Sequence, residues 1–459
     1  MQEQVTILHT NDIHSHFENW PKIRRFLQQQ KQQLIQQGQT VLTFDVGDAV
    51  DRVHPLSEAT DGKANVEMLN TIEYDGVTIG NNEGIGNSHQ QLDNLYTNAN
   101  FSVILSNFSD QTTNLIPKWC QEYRVIITKQ QTKIGIIAAT APFGPTYAMN
   151  SWHAWQIDEF MPTLLARLTD KVDVIILLSH LGIDADRKIA QAYPQIDVIL
   201  GSHTHHLLEH GEICGQTLIC AAGKWGQYVG KVTLQLEKNK IVTKKATVQA
   251  TADLPSAAGD QVEINNYQKQ GELLLTKQKI AQLPKPYPAA LNSDSPLMQA
   301  QLKALEEVFE VDTAILNSGL FLDGLKAGIV TKNDLHKILP HSMRAIKVRL
   351  NGYNLWRLIR EMERNRSRLR RSVVKGNGFR GKIFGELVYD NIVYLEKEKQ
   401  VLWHGKPLDL GKDYELAMVD NFIYGPYFPT LEIAGHFTYL GDRFLRDILG
   451  DYFAARFGV

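Results

Sequence analysis

Seven side chains able to coordinate a metal each follow closely on an apolar run: Asp12, His14, Asp48, Asn81, His180, His203 and His205. The first two form an Asp-x-His pair. In an extended chain alternate side chains leave on the same side, so Asp12 and His14 are expected to close on one ion. A carboxylate beside an imidazole suits Mn, Zn or Fe better than Ca, which prefers an all-oxygen shell. A single residue of this kind is commonly structural, because a lone histidine often just satisfies a core hydrogen bond. A set at successive strand exits is different, because positions along one edge of a sheet converge. The set exceeds what one ion needs, and an aspartate placed between two clusters can bridge. Two ions close together are therefore expected, a geometry suited to in-line attack on phosphorus. Gly47, just before Asp48, has no side chain to hinder approach to the ions.

To place these residues together, strands must end on one edge with helices between them. Pro21 to Gln37 carries Ile23, Phe26, Leu27 and Leu34 on one side of a helical pattern, with Gly38 as a stop. Thr40 to Asp48 reads as a buried strand running into Gly-Asp, so Asp48 emerges on the same edge as Asp12. A second unit follows, with a helix over 64–74, a strand over 76–79 and an exit loop over 80–84 that holds Asn81. Further strands are expected over 101–105, 133–138, 172–179 and 196–201, the last two leading to His180 and to His203-Thr204-His205. Alternation over 217–221 and 229–236 predicts a second, antiparallel layer. Residues 251–259 are small and polar, 262–283 repeat helically and Pro284 to Pro288 break the pattern. The expected organisation is α/β throughout: a catalytic domain over 1–250, a helical linker over 251–288 and a second α/β domain over 289–459. The last has helices over 297–309 and 354–363 and strands over 345–350 and 387–395.

At 459 residues the chain exceeds one ordinary core. Lys plus Arg number 48 against 50 Asp plus Glu, so no global field recruits nucleic acid or an anionic membrane, and neither partner is expected. Partners must be argued locally. The sequence enters an apolar strand by Val5, without the pattern of a signal peptide, and no stretch is long enough to span a bilayer. Cys120, Cys214 and Cys220 lack zinc-like spacing and read as core thiols of a reducing compartment, so a cytoplasmic protein is expected.

The motifs Asn11-Asp12-Ile13-His14-Ser15-His16, Gly47-Asp48, Gly80-Asn81-Asn82-Glu83, Ser179-His180-Leu181-Gly182 and Gly201-Ser202-His203-Thr204-His205 resemble, in order, those of the calcineurin-like metallophosphoesterases. More narrowly, the whole chain resembles the two-domain 5′-nucleotidase / UDP-sugar hydrolase family. The resemblance implies an N-terminal α-β-β-α sandwich, a helical linker and a C-terminal nucleotidase-type α/β domain. It further implies two divalent ions, Mn or Zn, one held by Asp12, His14 and His205, the other by Asn81, His180 and His203, with Asp48 bridging. A metal-held water would attack the phosphorus of a nucleotide or nucleotide derivative. The ions lower that water's pKa and neutralise phosphoryl charge, so no serine or cysteine nucleophile is required.

The chain departs from that family at one catalytic position. Where the family has Gly-Asn-His-Glu and then an Asp two residues later, this sequence has Asn82 and Ile85. Asn82 can hydrogen-bond a phosphoryl oxygen but cannot protonate a leaving group. His16 and His89 are the nearby candidates for that role. In the second domain Asn317 and Gly319 match the family's Asn-x-Gly motif, but Leu322 stands where a phosphate-binding arginine is usual. Phe422, with His341 opposite, is the expected base-stacking pair, although Gly425-Pro426-Tyr427 replaces the usual Gly-Gly-Asp. The arginine run from Arg364 to Arg380, through Gly376-Asn377-Gly378, is either a solvated helix face and loop or supplies Arg380 or Lys382 in place of the missing arginine. The expected activity is nucleotide phosphohydrolysis. Alternatives are a phosphodiesterase on cyclic or 2′,3′-linked nucleotides and a nucleotide-binding sensor.

Overall fold

The computed structural model describes residues 2–374, 376, 379–425 and 427–459. Asn377, Gly378 and Pro426, named in the motifs above, lie outside the described residues. The chain divides into two compact units, Met1–Gly271 and Glu272–Val459.

In the first unit, strand Gln2–Thr10 pairs parallel with Thr40–Asp45 and antiparallel with Tyr228–Glu237, within a five-stranded sheet closed by Gly76–Val77 and Lys240–Ala250. A six-stranded sheet runs Glu212–Cys214, Thr217–Ala221, Val198–Gly201, Val174–His180, Lys133–Thr140 and Tyr123–Ile127, parallel except at its two outer pairs. Period-two alternation decides what each face buries. Ile134, Ile136, Val174 and Ile176 join Val5, Ile7, Leu42 and Phe44 between the sheets. Ile137, Ile175 and Leu177, one step out of phase, cluster with Leu164, Leu168 and Ile189 from the helices Ile157–Leu168 and Ile183–Ala192. Strands buried on both faces must be apolar throughout, which is why these read as continuous runs. Helix Trp20–Gln36 lies against strand Thr40–Asp45 and buries Trp20, Ile23, Leu27 and Leu34, leaving most of its glutamines to solvent. The result is an α-β-β-α sandwich.

Several local expectations are corrected. Thr217–Ala221 belongs to the parallel sheet beside Val198–Gly201, while only the two strands after it extend the first sheet in antiparallel fashion. An apolar strand looks the same in either sheet, and its partner is chosen by long-range packing. Residues 101–105 make only isolated bridges, to Val77 and Gln121. The loop expected over 80–84 opens a short helix, Asn81–Gly86, and the helix expected over 64–74 is confined to Lys63–Leu69. The helical pattern over 262–283 ends early: helix Asp260–Thr276 is followed by strand Lys279–Leu283, which buries Ala281 and Leu283 and pairs with Gly328–Thr331. The strand expected over 387–395 is two strands, divided at Asn391 with φ +58°.

The second unit is built round strand Arg344–Asn351, flanked antiparallel by Asp413–Val419 and His436–Phe444. Helix Pro296–Phe309, capped by Ser295 Oγ accepting from the Met298 N–H at 3.2 Å, shares one core with the helices Gly352–Leu369 and Leu445–Phe457. Among the described residues no helix is long and apolar enough to cross a membrane.

Candidate metal centre

Five of the expected ligands have left-handed backbone: Asp12 at φ +48°, His14 at +50°, Asp48 at +52°, His203 at +70° and His205 at +59°. Each such non-glycine residue costs roughly 1–2 kcal/mol, so the surrounding bonds must hold the loops in place. The loop after the first strand is tied to the loop after the second: the Asp12 N–H donates to Gly47 O at 3.0 Å, His14 N–H to Asp48 O at 2.8 Å and Ser15 N–H to Ala49 O at 3.0 Å. The His203 N–H donates to the Asp12 carboxylate at 3.1 and 3.2 Å, which draws in the third loop. Asp12 and His14 therefore converge through left-handed turns and not through the strand alternation expected from sequence. Gly47 also has a different reason: a Cβ there would meet Gly80 N at 2.4 Å, so its lack of a side chain lets two loops touch.

The side chains form two donor groups. Asp12, His14 and His205 bring one ligand atom each within 4.8 Å of one another, and Asp48, His180 and His203 do the same. The groups adjoin: His14 Nε2 lies 3.2 Å from His205 Nε2 and 3.7 Å from Asp48 Oδ2, while His180 Nε2 lies 3.3 Å from that same Asp48 oxygen. Burial would raise the Asp12 carboxyl, but the imidazoles of His14 and His205 hold it far below the usual range. Burial likewise opposes charge on His14, yet Asp12 and Asp51 push it up to about 10. His180 is raised to about 9 by Asp48 against its own burial, and His203 is lowered to about 4 by burial and by the charge of His180. Concentrated anionic charge thus attracts protons where cations would sit.

The donor set fits divalent ions. His180 Nδ1 lies 2.8 Å from Val46 O and donates to it, so Nε2, buried 3.3 Å from Asp48 Oδ2 and without a hydrogen bond of good geometry, is the nitrogen that meets an ion once its proton is displaced. Asn81 Oδ1 is orphaned and buried in the same way. Unsatisfied buried acceptors are costly unless something cationic or protic meets them. Asn82 donates its N–H to Asp48 Oδ1 at 2.8 Å and sets its side-chain amide 2.8 Å from His14 Nδ1.

Sequence reasoning passed over the residue that organises this centre. Glu83 is 1% exposed, and its carboxylate accepts from the N–H groups of Asp48 at 3.0 Å, Val50 at 2.8 Å and Gly80 at 2.8 Å. The signal was a Glu at the third position of a helix start, the pattern of a capping box. Asn11 was also missed. It donates to Asp12 Oδ2 and Gly223 O, both at 2.8 Å.

Other candidates are held elsewhere. His16 is bound to Glu18 at 2.5 Å and stacks on Trp225 at 4.6 Å, and neither donor group includes it. His89 stacks on Trp152 at 4.0 Å and is bound to Asn150 O. In the second unit Asn317 donates to Phe384 O at 2.6 Å, and a Cβ on Gly319 would meet Ile383 O at 1.9 Å, so both clasp one segment to another. His341 is 1% exposed and accepts at Nδ1 from the Arg380 N–H at 2.8 Å, so Nε2–H donates to Leu320 O. Phe422 is fully buried against Phe384 and Phe428. In this structure neither ring offers an open face on which a base could stack. Arg380 stays half-exposed.

Comparison with known proteins agrees with this geometry. Residues 5–207 match the family model for calcineurin-like phosphoesterases, and residues 279–426 match that for the 5′-nucleotidase C-terminal domain. An uncharacterized metallophosphoesterase of Bacillus subtilis (strain 168), YunD, is 37% identical over 98% of this chain and 99% of its own length. A 5′-nucleotidase of Vibrio cholerae is 25% identical over 76% of this chain and 74% of its own. The fold is shared with a candidate 5′-nucleotidase from Staphylococcus aureus solved with α-ketoglutarate, at a TM-score of 0.70, 16% identity and coverage of 99% and 98%. The chain belongs to the calcineurin-like metallophosphoesterases, in the group that joins this domain to a 5′-nucleotidase C-terminal domain, and is a metal-dependent phosphoester hydrolase.

Proposed function

We propose that the protein releases phosphate from nucleotides or nucleotide derivatives, using two ions, Mn or Zn, held by Asp12, His14 and His205 and by Asn81, His180 and His203. Asp48 carries this reading, because one of its oxygens lies 3.3 Å from His180 Nε2 and 3.7 Å from His14 Nε2 and so reaches both groups. Ions so placed neutralise charge on phosphoryl oxygens and acidify a water. Asn82 is uncharged: it steadies His14 and Asp48 and leaves no proton for the leaving group. Esters with acidic leaving groups should therefore turn over fastest. The 5′-nucleotidase relative supports a nucleotide as substrate. Three unpaired cysteines, one of them buried, suit a cytoplasmic setting.

The test is a panel of nucleoside monophosphates, nucleotide sugars, cyclic nucleotides and a base-free phosphate ester, assayed on Mn-loaded protein with the bound metal counted. Two ions per chain and phosphate release from nucleotides are expected. Cleavage of cyclic nucleotides alone would move the assignment to a phosphodiesterase. Nucleotide binding without turnover even of activated esters would make the protein a sensor.

A further inference from the structure

Helix Gly352–Leu369 carries the first half of the arginine run, and neither the core nor the metal centre uses the face on which it lies. The apolar side, Leu355, Leu358, Ile359 and Met362, is buried in the second unit. Steps of three and four residues bring Tyr353, Trp356, Arg360, Arg364 and Arg368 into one stripe on the other side, which Arg371 extends in the turn after the helix. At the rise of a helix the stripe is about 27 Å long. At one end the Tyr353 ring, 51% exposed, stacks on Trp356 at 5.9 Å, and the Arg360 guanidinium lies 4.4 Å over the same indole. At the other end Arg364, Arg368 and Arg371 are exposed.

The helix's acids lie to either side of this stripe and are already engaged. Glu363 pairs with Arg366, and Glu361 accepts from the Thr430 N–H at 3.1 Å. Among the described residues the side chains of Arg364, Arg368 and Arg371 have no ion-pair or hydrogen-bond partner, whereas Arg366 and Arg370 both pair with Glu386. Like charges four apart on a helix repel. Arg364 and Arg368 repel each other in this way, Arg368 is offset by the helix C-terminus on which it sits, and Arg371 follows just beyond, so the three present a local positive charge that an anionic partner would neutralise.

We propose that this stripe binds single-stranded nucleic acid, its arginines tracking successive phosphates and Tyr353 stacking on a base. Guanidinium groups recognise phosphate oxygens bidentately, and an aromatic ring beside them is the arrangement by which unpaired bases are gripped without sequence readout. A membrane fits less well, because the helix's apolar face is locked in the core and the stripe holds no aliphatic side chain to insert. An acidic peptide would use the arginines but not the ring. The even charge balance of the whole chain, from which no nucleic-acid partner is expected, conceals this local concentration.

The experiment is fluorescence anisotropy of a labelled 12-nucleotide oligodeoxythymidylate with the full-length, metal-loaded protein, its integrity checked on a gel after each titration. Binding should weaken with salt, and the variant carrying Arg364→Gln, Arg368→Gln and Arg371→Gln should bind at least about tenfold more weakly, with the log–log salt slope reduced by about 2. Tyr353→Ala should weaken binding about fivefold or more while leaving that slope unchanged. Both variants should keep parental activity on a small phosphate ester, which shows that they are folded. The proposal is overturned if the triple variant binds like the parent. It fails equally if duplex DNA, phosphatidylserine vesicles or polyglutamate bind as tightly as the single strand.

Discussion

Replacing Glu83 tests whether one buried carboxylate holds the catalytic loops together. Its Oε2 accepts from the Asp48 and Gly80 N–H groups and its Oε1 from that of Val50. Glu83→Gln keeps one acceptor oxygen, which can serve the pair, and turns an amide NH2 toward the remaining N–H. Leaving that buried donor unsatisfied costs about 1–3 kcal/mol. For a domain of this size each kcal/mol lowers Tm by about 2–4 °C, so a fall of roughly 2–12 °C is expected. Glu83→Ala orphans all three donors, roughly 3–9 kcal/mol, comparable with the whole stability of a typical domain, and should not fold. Loss of the bond to the Asp48 N–H also loosens the shared carboxylate, so Mn affinity of the Gln variant should fall about tenfold or more. Calorimetry with chelator and with saturating Mn reads both effects. A Gln variant that melts within about 1 °C of the parent and binds Mn as tightly would refute this role for Glu83.

Asp48→Asn should abolish turnover and lower the bound metal, and near-normal activity would show that its carboxylate is not shared. Because His14 is pushed up to about 10 and His180 to about 9, an ion must displace protons from both. Metal affinity should therefore rise with pH across the neutral range, by up to about tenfold per unit for each histidine. Titration calorimetry in buffers of different ionisation enthalpy should register that proton release, and none would mean that the metal-free centre is not protonated. Phe422→Ala removes a fully buried ring and should cost about 3–5 kcal/mol while leaving KM equal for nucleotides and for a base-free ester. A KM increase confined to nucleotides would return the ring to a stacking role.

Sequence by itself determined which side chains are available as metal donors and much of the order of elements. Each of Asp12, Asp48, His180 and His203 follows an apolar run, which marked them as strand exits, but the first two leave the five-stranded sheet and the last two the six-stranded one, so they meet through the packing of two sheets and not along one edge. The helical stripe of Ile23, Leu27 and Leu34 was equally plain, because local periodicity sets which face an element buries, whereas Phe26, expected on the same side, is only half-buried. Tertiary structure decided what depends on contacts distant in sequence. The side of the sandwich that receives Thr217–Ala221 is chosen by packing against strands far away, which no local pattern encodes. The left-handed turns at Asp12, His14 and Asp48 are held by hydrogen bonds between two loops more than thirty residues apart, so strand alternation gave the right pairing for the wrong reason. Glu83 lay in an expected loop, and only the fold shows its carboxylate receiving the Asp48 and Val50 N–H groups. Phe422 carried the composition of a stacking motif, but only the packing of Phe384 and Phe428 over its faces showed that it belongs to the core. In each case residue type announced a capability, and the environment that selects among capabilities was assembled by folding.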